Sequence, residues 1–242
     1  MPWGAGEGGV DTCAGAGARI AAGGPGSKLP APAGDPCYAR YMQRYHPASA
    51  LIVVDVQNDF ADPAGSLSVA GAERILPTVN SEIAQATSAG ALVVATQDWH
   101  PESTPHFAKD GGIWPVHGVA GTWGAELHPA LALPQDAPRI RKGADGEDGY
   151  SGFTVRDPVT DAALPTELEA LLRARGVREV VVVGLAIDYC VKATALDARE
   201  LGFETAVLTD AVAAVELEPG DGERAVEELR AAGVALPRSV LR

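Results

Sequence analysis

The sequence predicts an α/β fold with three layers, in which a mostly parallel sheet carries helices on both faces. Continuous apolar runs of strand length occur at residues 50–56, 91–97 and 179–185, as expected for strands that are covered on both sides. Segments with apolar residues at helical spacing separate and follow these runs. Strands that alternate with helices in this way are typical of a parallel sheet wrapped by helices.

The elements can be assigned in order from residue 50. After the first strand, Ile75, Val79 and Ile83 recur at helical spacing and predict a helix over 72–89 that ends at Gly90. The stretch after the second strand, 98–135, is rich in Gly and Pro and is expected to be mostly loop. The remaining predicted elements are a short strand at 137–143, a helix at 166–176, a strand at 179–185, a helix at 189–201, a strand at 203–211 and a helix at 221–232.

The first 48 residues differ in composition from the rest of the chain. They are mostly Gly, Ala and Pro with few large apolar side chains, so they cannot bury enough surface to offset the entropy of ordering. We expect a disordered tail over 1–48 and one folded domain over 49–242. Met42 lies just before the first strand, and we hypothesise that it is the native start, which N-terminal sequencing of the native protein would test.

Charge and hydropathy restrict the partners of the chain. Its net charge of -13 disfavours nucleic acid and anionic membranes, because both repel an acidic surface. No apolar run reaches the roughly 20 residues that span a bilayer. The net charge does not predict whether a small-molecule substrate is acidic or basic, and a homo-oligomer remains open.

The cysteines indicate the compartment. The chain has three, Cys13, Cys37 and Cys190, and its N-terminus lacks the basic and apolar regions of a secretory signal. An odd count without an export signal favours reduced thiols and a cytoplasmic location.

An acid, a cation and a thiol follow three predicted strands. Asp55 ends LIVVD, Lys142 ends RIRK, and Cys190 follows VVVGLAIDY at the start of a helix. Ligands of parallel sheets bind beyond the carboxyl ends of the strands, so these side chains are expected to meet. The helix N-terminus favours a thiolate at Cys190 and offers free N–H groups to an oxyanion. The alternative for Cys190 is a packed thiol without chemistry.

A second group of residues predicts a metal site. Asp98, His100, His106 and His117 fall within twenty residues of a Gly/Pro-rich stretch, and His and Asp are common metal ligands. A lone histidine in such a loop would more often be a hydrogen-bonded loop residue. Three histidines with an aspartate favour a divalent ion, for which zinc, iron and manganese all suit the ligand set.

Together these motifs resemble the nicotinamidase/pyrazinamidase group of the isochorismatase-like cysteine hydrolases. The resemblance covers about residues 50–236, and several motifs match in the same order. The matching segments are LIVVDVQNDF, DWHPESTPHF, WPVHGVAGTWGAELHP, RKGADGEDGYSGF and GLAIDYCVKATALDA.

The resemblance implies a role for each matched residue. Cys190 would be the nucleophile, with Asp55 as acid and base and Lys142 beside both. The Ala186 and Cys190 amides would hold the oxyanion, after a cis peptide at Leu185–Ala186. The metal ligands would be Asp98, His100, His106 and His117, and Phe60, Trp114 and Tyr150 would line the ring pocket.

The implied reaction is hydrolysis of nicotinamide to nicotinate and ammonia through a cysteine thioester, in NAD salvage, with pyrazinamide as a further substrate. The metal, with zinc first among the candidates, would bind the pyridine nitrogen. Two alternatives remain. One is another hydrolase of the same fold, an isochorismatase or a carbamoyl or ureido amidohydrolase. The other is a metallohydrolase in which the ion activates water and Cys190 is structural.

Overall fold

The computed structural model describes residues 44–239 and contains the predicted parallel sheet. Its five strands are β1 (Ser49–Val54), β2 (Leu92–Asp98), β3 (Arg139–Lys142), β6 (Glu179–Leu185) and β7 (Glu204–Ala213). They lie in the order β3-β2-β1-β6-β7, and every pair of neighbours is parallel. The α/β prediction is therefore confirmed.

Of the five described α-helices, all but the first lie close to their predicted positions. They are α1 (Asn58–Ala61), α2 (Ala72–Ser88), α3 (Leu168–Ala174), α4 (Cys190–Glu200) and α5 (Asp221–Ala231). Short 3₁₀ helices occur at Ala108–Asp110 and Trp123–Ala125. An antiparallel pair, β4 (Thr154–Arg156) with β5 (Ala163–Pro165), stands apart from the main sheet. The one-turn helix α1 and this pair were not predicted, because elements of three or four residues carry too few side chains to show a period.

Successive residues of the central strand face opposite layers of the molecule. Ile52 and Val54 of β1 belong to a core shared with α3, α4 and α5. Leu51 and Val53 belong to a second core shared with α2. Because side chains alternate across a strand, a fully buried strand needs apolar residues at every position, which explains its continuous run.

The chain changes direction across the sheet at the boundary between β1 and β6. From β1 it proceeds to β2 and β3 on one side, and later to β6 and β7 on the other. Such a switch point leaves a crevice at the carboxyl ends of the two central strands. The strands approach closely here, since a Cβ on Gly184 would lie 2.2 Å from the Val54 carbonyl oxygen. Asp55 follows one strand, and the turn to Cys190 follows the other.

The predicted tail lies largely outside the described residues, as do Met42, Cys13 and Cys37. Residues 44–48, which the sequence assigned to that tail, pack with the domain instead. Tyr45 donates a 2.7 Å hydrogen bond to Glu82, a fully buried carboxylate of α2. Over residues 44–239, no helix has the length and apolar character needed to cross a membrane.

Candidate active site

Lys142, a buried lysine, joins the other two residues that the sequence placed at strand ends, Asp55 and Cys190. Lys142 Nζ lies 2.7 Å from Asp55 Oδ2 and donates a long, 3.5 Å hydrogen bond to Cys190 Sγ. The same ammonium donates to the Tyr150 carbonyl at 3.2 Å. The lysine side chain is only 1% exposed, so this cation is committed to its protein partners.

Asp55 is held in an unusual backbone conformation. Its φ is 48°, in the left-handed region that non-glycine residues rarely occupy. The Thr96 hydroxyl accepts a hydrogen bond from the Asp55 N–H and donates one of 2.5 Å to Asp55 Oδ1. Backbone strain of this kind persists only where neighbours fix the residue, and here it turns the carboxylate back toward Lys142 and Cys190.

Burial shifts the pKa of both proton-exchanging groups upward. Burial raises the pKa of the Asp55 carboxyl, against the opposing charge of Lys142. Burial also raises the pKa of the Cys190 thiol well above its ordinary value. The charge of Lys142 opposes this rise, and the charges of Asp55 and Asp98 add to it. The thiol is therefore protonated at rest. The helix N-terminus alone does not produce the thiolate that we expected from the sequence, and Cys190 needs a nearby base.

Asp98, the second carboxylate that pairs with Lys142, has a pKa shifted in the opposite direction. Although burial acts to raise it, the charge of Lys142 holds the pKa of Asp98 well below its usual range. Burial likewise acts to lower the pKa of Lys142, but Asp55 and Asp98 hold it well above the ordinary value. Asp98 is thus ionised, Lys142 is charged, and Asp55 is the carboxyl best suited to exchange a proton.

The two residues expected to hold the oxyanion lie beside the thiol and line one pocket. The Leu185–Ala186 peptide is cis, as the resemblance implied. Ala186 follows β6 directly, and Cys190 is the first residue of α4, where N–H groups have no carbonyl one turn earlier to bind. Both residues line the same pocket. This is the setting in which an oxyanion finds donors.

The three predicted histidines form one buried cluster. One ring nitrogen from each of His100, His106 and His117 lies within 4.8 Å of the others. His117 Nδ1 is 2.7 Å from the Pro115 carbonyl, which only accepts, so this nitrogen carries the proton and Nε2 keeps a lone pair. His106 Nδ1 lies 2.6 Å from Asp148 Oδ1 and has the same arrangement. Two lone pairs therefore remain for a ligand.

His100 gives the clearest sign that this cluster holds an ion. Neither of its ring nitrogens has a hydrogen-bond partner within residues 44–239, although the side chain is buried. A buried, unpaired polar ring is costly, and a metal would satisfy it. The chain also leaves room for the ring, since a Cβ on Gly143 would lie 2.3 Å from His100 Nδ1. Three neutral imidazoles fit a divalent ion such as zinc.

Asp98 stands between the histidines and the lysine. Its Oδ1 is 2.9 Å from Lys142 Nζ, while Oδ2 is 3.9 Å from His100 Nε2 and 3.7 Å from His117 Nε2. Asp98, Asp55 and Cys190 also offer ligand atoms to a common point, but the Lys142 ammonium already pairs with both carboxylates of that group. A metal ion therefore suits the histidine side, where Asp98 can supply an oxygen.

A cavity of about 370 Å³, including its open mouth, lies over these groups. Phe60, Trp114 and Tyr150, the three predicted ring-contact residues, all line it. Trp114 Nε1 donates to the Tyr150 hydroxyl at 3.0 Å, which ties two of the walls together. Other lining residues are Leu67, Val69, Leu185, Tyr189 and Val215. A mostly apolar wall with a few convergent polar groups is typical of a site for a small ring.

Several residues of the site were missed at the level of the sequence. The side chain of Gln57 bonds both main-chain groups of Asp98, each at 2.8 Å. Tyr189 packs edge-on to Trp114, with ring centroids 4.8 Å apart. Thr96 and Asp148 hold Asp55 and His106. Gln57, Asp148 and Tyr189 lie within the matching segments, so their positions were a signal, whereas Thr96 gave none.

Known proteins share this domain. The isochorismatase domain model matches residues 49–237, which is most of the chain. The chain belongs to the isochorismatase family. A nicotinamidase of Acinetobacter baylyi is 41% identical over 202 residues, which cover 76% of this chain and 90% of the relative.

Solved structures match the chain at similar levels. The pyrazinamidase of Pyrococcus horikoshii, in complex with zinc, is 43% identical with a TM-score of 0.70, covering 79% of this chain and 99% of the other. A PnC1 structure from L. infantum, in complex with nicotinate, is 40% identical with a TM-score of 0.72, covering 81% and 95%.

Proposed function

We propose that this protein is a nicotinamidase, which hydrolyses nicotinamide to nicotinate and ammonia. The observation that carries the proposal is the position of Lys142, bound to Asp55 at 2.7 Å and to Cys190 at 3.5 Å beneath an aromatic pocket. An acid–base group, a thiol and an aromatic wall suit an amide attached to a flat ring. Relatives named nicotinamidase, and a structural neighbour with bound nicotinate, support the same substrate.

The charges of the pocket favour a neutral substrate. Of the described residues that line it, none is a lysine or an arginine, while Asp55 and Asp98 are acidic. Lys142 lies behind them with its charge balanced by two carboxylates. Isochorismate and N-carbamoyl amino acids carry carboxylates that would be left unpaired here, and an unpaired buried charge is costly. Nicotinamide and pyrazinamide carry none.

In the first half of the reaction, Asp55 accepts the proton of the Cys190 thiol. The sulfur attacks the amide carbon, and the Ala186 and Cys190 N–H groups hold the oxygen as it becomes negative. Lys142 keeps the positive charge that compensates the thiolate as it forms. Asp55 then passes its proton to the departing nitrogen, the C–N bond breaks, and ammonia leaves a thioester on Cys190.

In the second half, water replaces ammonia. Asp55 accepts a proton from the water, whose oxygen attacks the thioester carbon, and the same amides hold the oxygen again. The C–S bond breaks, the sulfur recovers its proton, and the acid product leaves. One water is consumed and one ammonia released, so atoms and charges balance.

The histidine cluster orients the substrate rather than performing this proton exchange. A divalent ion held by His100, His106, His117 and Asp98 would supply a Lewis acid for the ring nitrogen of the substrate. The zinc complex of the Pyrococcus pyrazinamidase supports zinc as that ion. Because Cys190 lies against Lys142 and opens onto the pocket, we favour it as the nucleophile over a purely structural thiol.

A panel of substrates tests the proposal. Zinc-loaded protein is expected to release ammonia from nicotinamide and pyrazinamide. Its kcat/KM for N-carbamoyl amino acids and for isochorismate, the latter followed as pyruvate, is expected to be at least about 100-fold lower, since an unpaired buried charge costs several kcal/mol. A higher kcat/KM for an anionic substrate than for nicotinamide would refute the assignment.

A further inference from the structure

One acidic residue of the site has no role in the reaction above. Asp148 lies in the loop between Lys142 and Tyr150, and its carboxylate reaches the ring of His106 at 2.6 Å. The side chain is 47% exposed, in contrast to the buried acids Asp55 and Asp98. A carboxylate at the rim of a histidine cluster is well placed to act on the histidine that it touches.

The geometry of the contact orients the His106 ring. A carboxylate only accepts, so His106 Nδ1 carries the proton and Nε2 keeps a lone pair for a metal. Asp148 Oδ1 also accepts from the Gly149 N–H at 2.7 Å, which fixes the direction of the carboxylate. Histidines that bind metals usually have such a partner on the other nitrogen, which sets the tautomer and increases basicity.

The backbone of Asp148 is anchored as well. Its N–H donates to the Arg156 carbonyl at 2.9 Å, and its carbonyl accepts from the Arg156 N–H at 2.5 Å. Two residues further along the chain, the Tyr150 carbonyl accepts a hydrogen bond from Lys142 Nζ. The loop over 143–150 is therefore tied to the lysine at one point and to the histidine cluster at another.

The three histidines differ in the hydrogen-bond partners of their ring nitrogens. His117 donates to a main-chain carbonyl, and His100 has no partner within residues 44–239. In this part of the chain, His106 alone among them has a side-chain carboxylate within hydrogen-bond distance of a ring nitrogen. It is also 5.8 Å, between centroids, from the ring of Tyr150, which lines the substrate pocket. A change at Asp148 would therefore affect both the ligand and a wall of the pocket.

We propose that Asp148 is a positioning residue for the metal centre, which holds His106 in the ligand-competent orientation and ties the Tyr150 wall to that centre. The inference rests on the proposed function only in taking the histidine cluster as a metal site. The role differs from catalysis, because Asp148 touches neither the thiol nor Asp55 in the described structure.

The test measures zinc affinity of the full chain without substrate. Metal-free wild type, Asp148→Asn and Asp148→Ala are titrated with zinc against a chromophoric chelator. The dissociation constant is expected to rise about 10–100-fold for the alanine variant and less for the asparagine variant, which keeps a neutral acceptor. Asp145→Asn is the matched control, since it removes one charge from an exposed position of the same loop and should bind as wild type does.

Thermal unfolding of the metal-free proteins separates positioning from general stability. All four proteins should unfold at closely similar temperatures without metal, because Asp148 is half exposed, and should differ only when zinc is added. Wild-type affinity in Asp148→Ala, or an equal loss in Asp145→Asn, would overturn the proposal. Absence of zinc binding by wild type would also overturn it. A failure of nicotinamide turnover alone would affect the proposed function and leave this result standing.

Discussion

Asp98 and Lys142 are register partners on the parallel strands β2 and β3, and their side chains form a buried ion pair of 2.9 Å. The pairing of the two strands therefore places a cation at the carboxyl ends of the strands. There it also reaches Asp55, which directly follows the neighbouring strand β1. One lysine pairs with two buried carboxylates and also contacts the thiol of Cys190. The electrostatics of the site follow from this single register.

Removing the lysine charge should impair both stability and turnover. In Lys142→Met, Asp55 and Asp98 would remain buried without their cation, a change that typically costs about 3–5 kcal/mol in the free energy of unfolding. Turnover of nicotinamide should fall by about 10²–10⁴-fold, because proton exchange with Cys190 loses its compensating charge. Urea denaturation and ammonia release measure the two effects.

Arg139→Met is the matched control for that variant. Arg139 opens the same strand but is exposed, so its loss should change stability by less than about 0.5 kcal/mol. Equal effects of the two substitutions would mean that Lys142 does not have the special role assigned to it.

The pH dependence of kcat/KM should report the ionisation of the Asp55 carboxyl. This carboxyl must be ionised to accept the thiol proton, and burial raises its pKa. As the pH falls, activity should therefore already be lost at a pH above the ordinary carboxyl pKa of about 3.9. The profile is measured at saturating zinc, with metal content followed at each pH because protonated histidines release metal.

A profile that stays flat down to pH values near 4, with the metal retained, would contradict the raised pKa of Asp55. Asp55→Asn completes the comparison. It should be inactive across the whole range, since an amide cannot accept the proton at any of these pH values.

Gly143 should be required for the fit of His100. In Gly143→Ala, the new Cβ would meet His100 Nδ1 at 2.3 Å, on a backbone with φ of 79°. The His100 ring must then move, so zinc affinity should fall by at least about 10-fold. The same chelator titration measures this loss.

Gly146→Ala provides a control with the same backbone strain. Gly146 has φ of 85° and open space where a Cβ would be added. Both variants should lose about 1–2 kcal/mol of stability from the left-handed conformation. Zinc affinity should fall only in Gly143→Ala, and a parallel loss in Gly146→Ala would refute a direct effect on His100.

The sequence predicted the sheet and the residues at the ends of its strands. Runs such as ALIVVD have a clear physical signature, because strands covered on both faces need apolar residues throughout. Asp55, Asp98 and Lys142 stood out as charges directly after or at the end of such runs. The parallel arrangement then required them to lie at one edge.

The supporting contacts were not predictable in the same way. Asp148 reaches His106 across a loop that has no periodicity, and nothing in the spacing of the two residues marks the contact. In the sequence, Thr96 has the pattern of an ordinary buried strand residue, and only the structure shows its hydroxyl donating to Asp55. The raised pKa of Cys190 likewise depends on burial and on two carboxylates from other strands, which no local pattern shows.

The central claim is that Cys190 is the nucleophile of an amide hydrolysis. The most direct test compares ammonia release from nicotinamide by wild type and by Cys190→Ala, both loaded with equal zinc and both folded by circular dichroism. The account predicts that wild type releases ammonia and that the variant falls to the rate of the uncatalysed reaction while still binding nicotinamide. Substantial release by Cys190→Ala would contradict the account and assign the chemistry to another group.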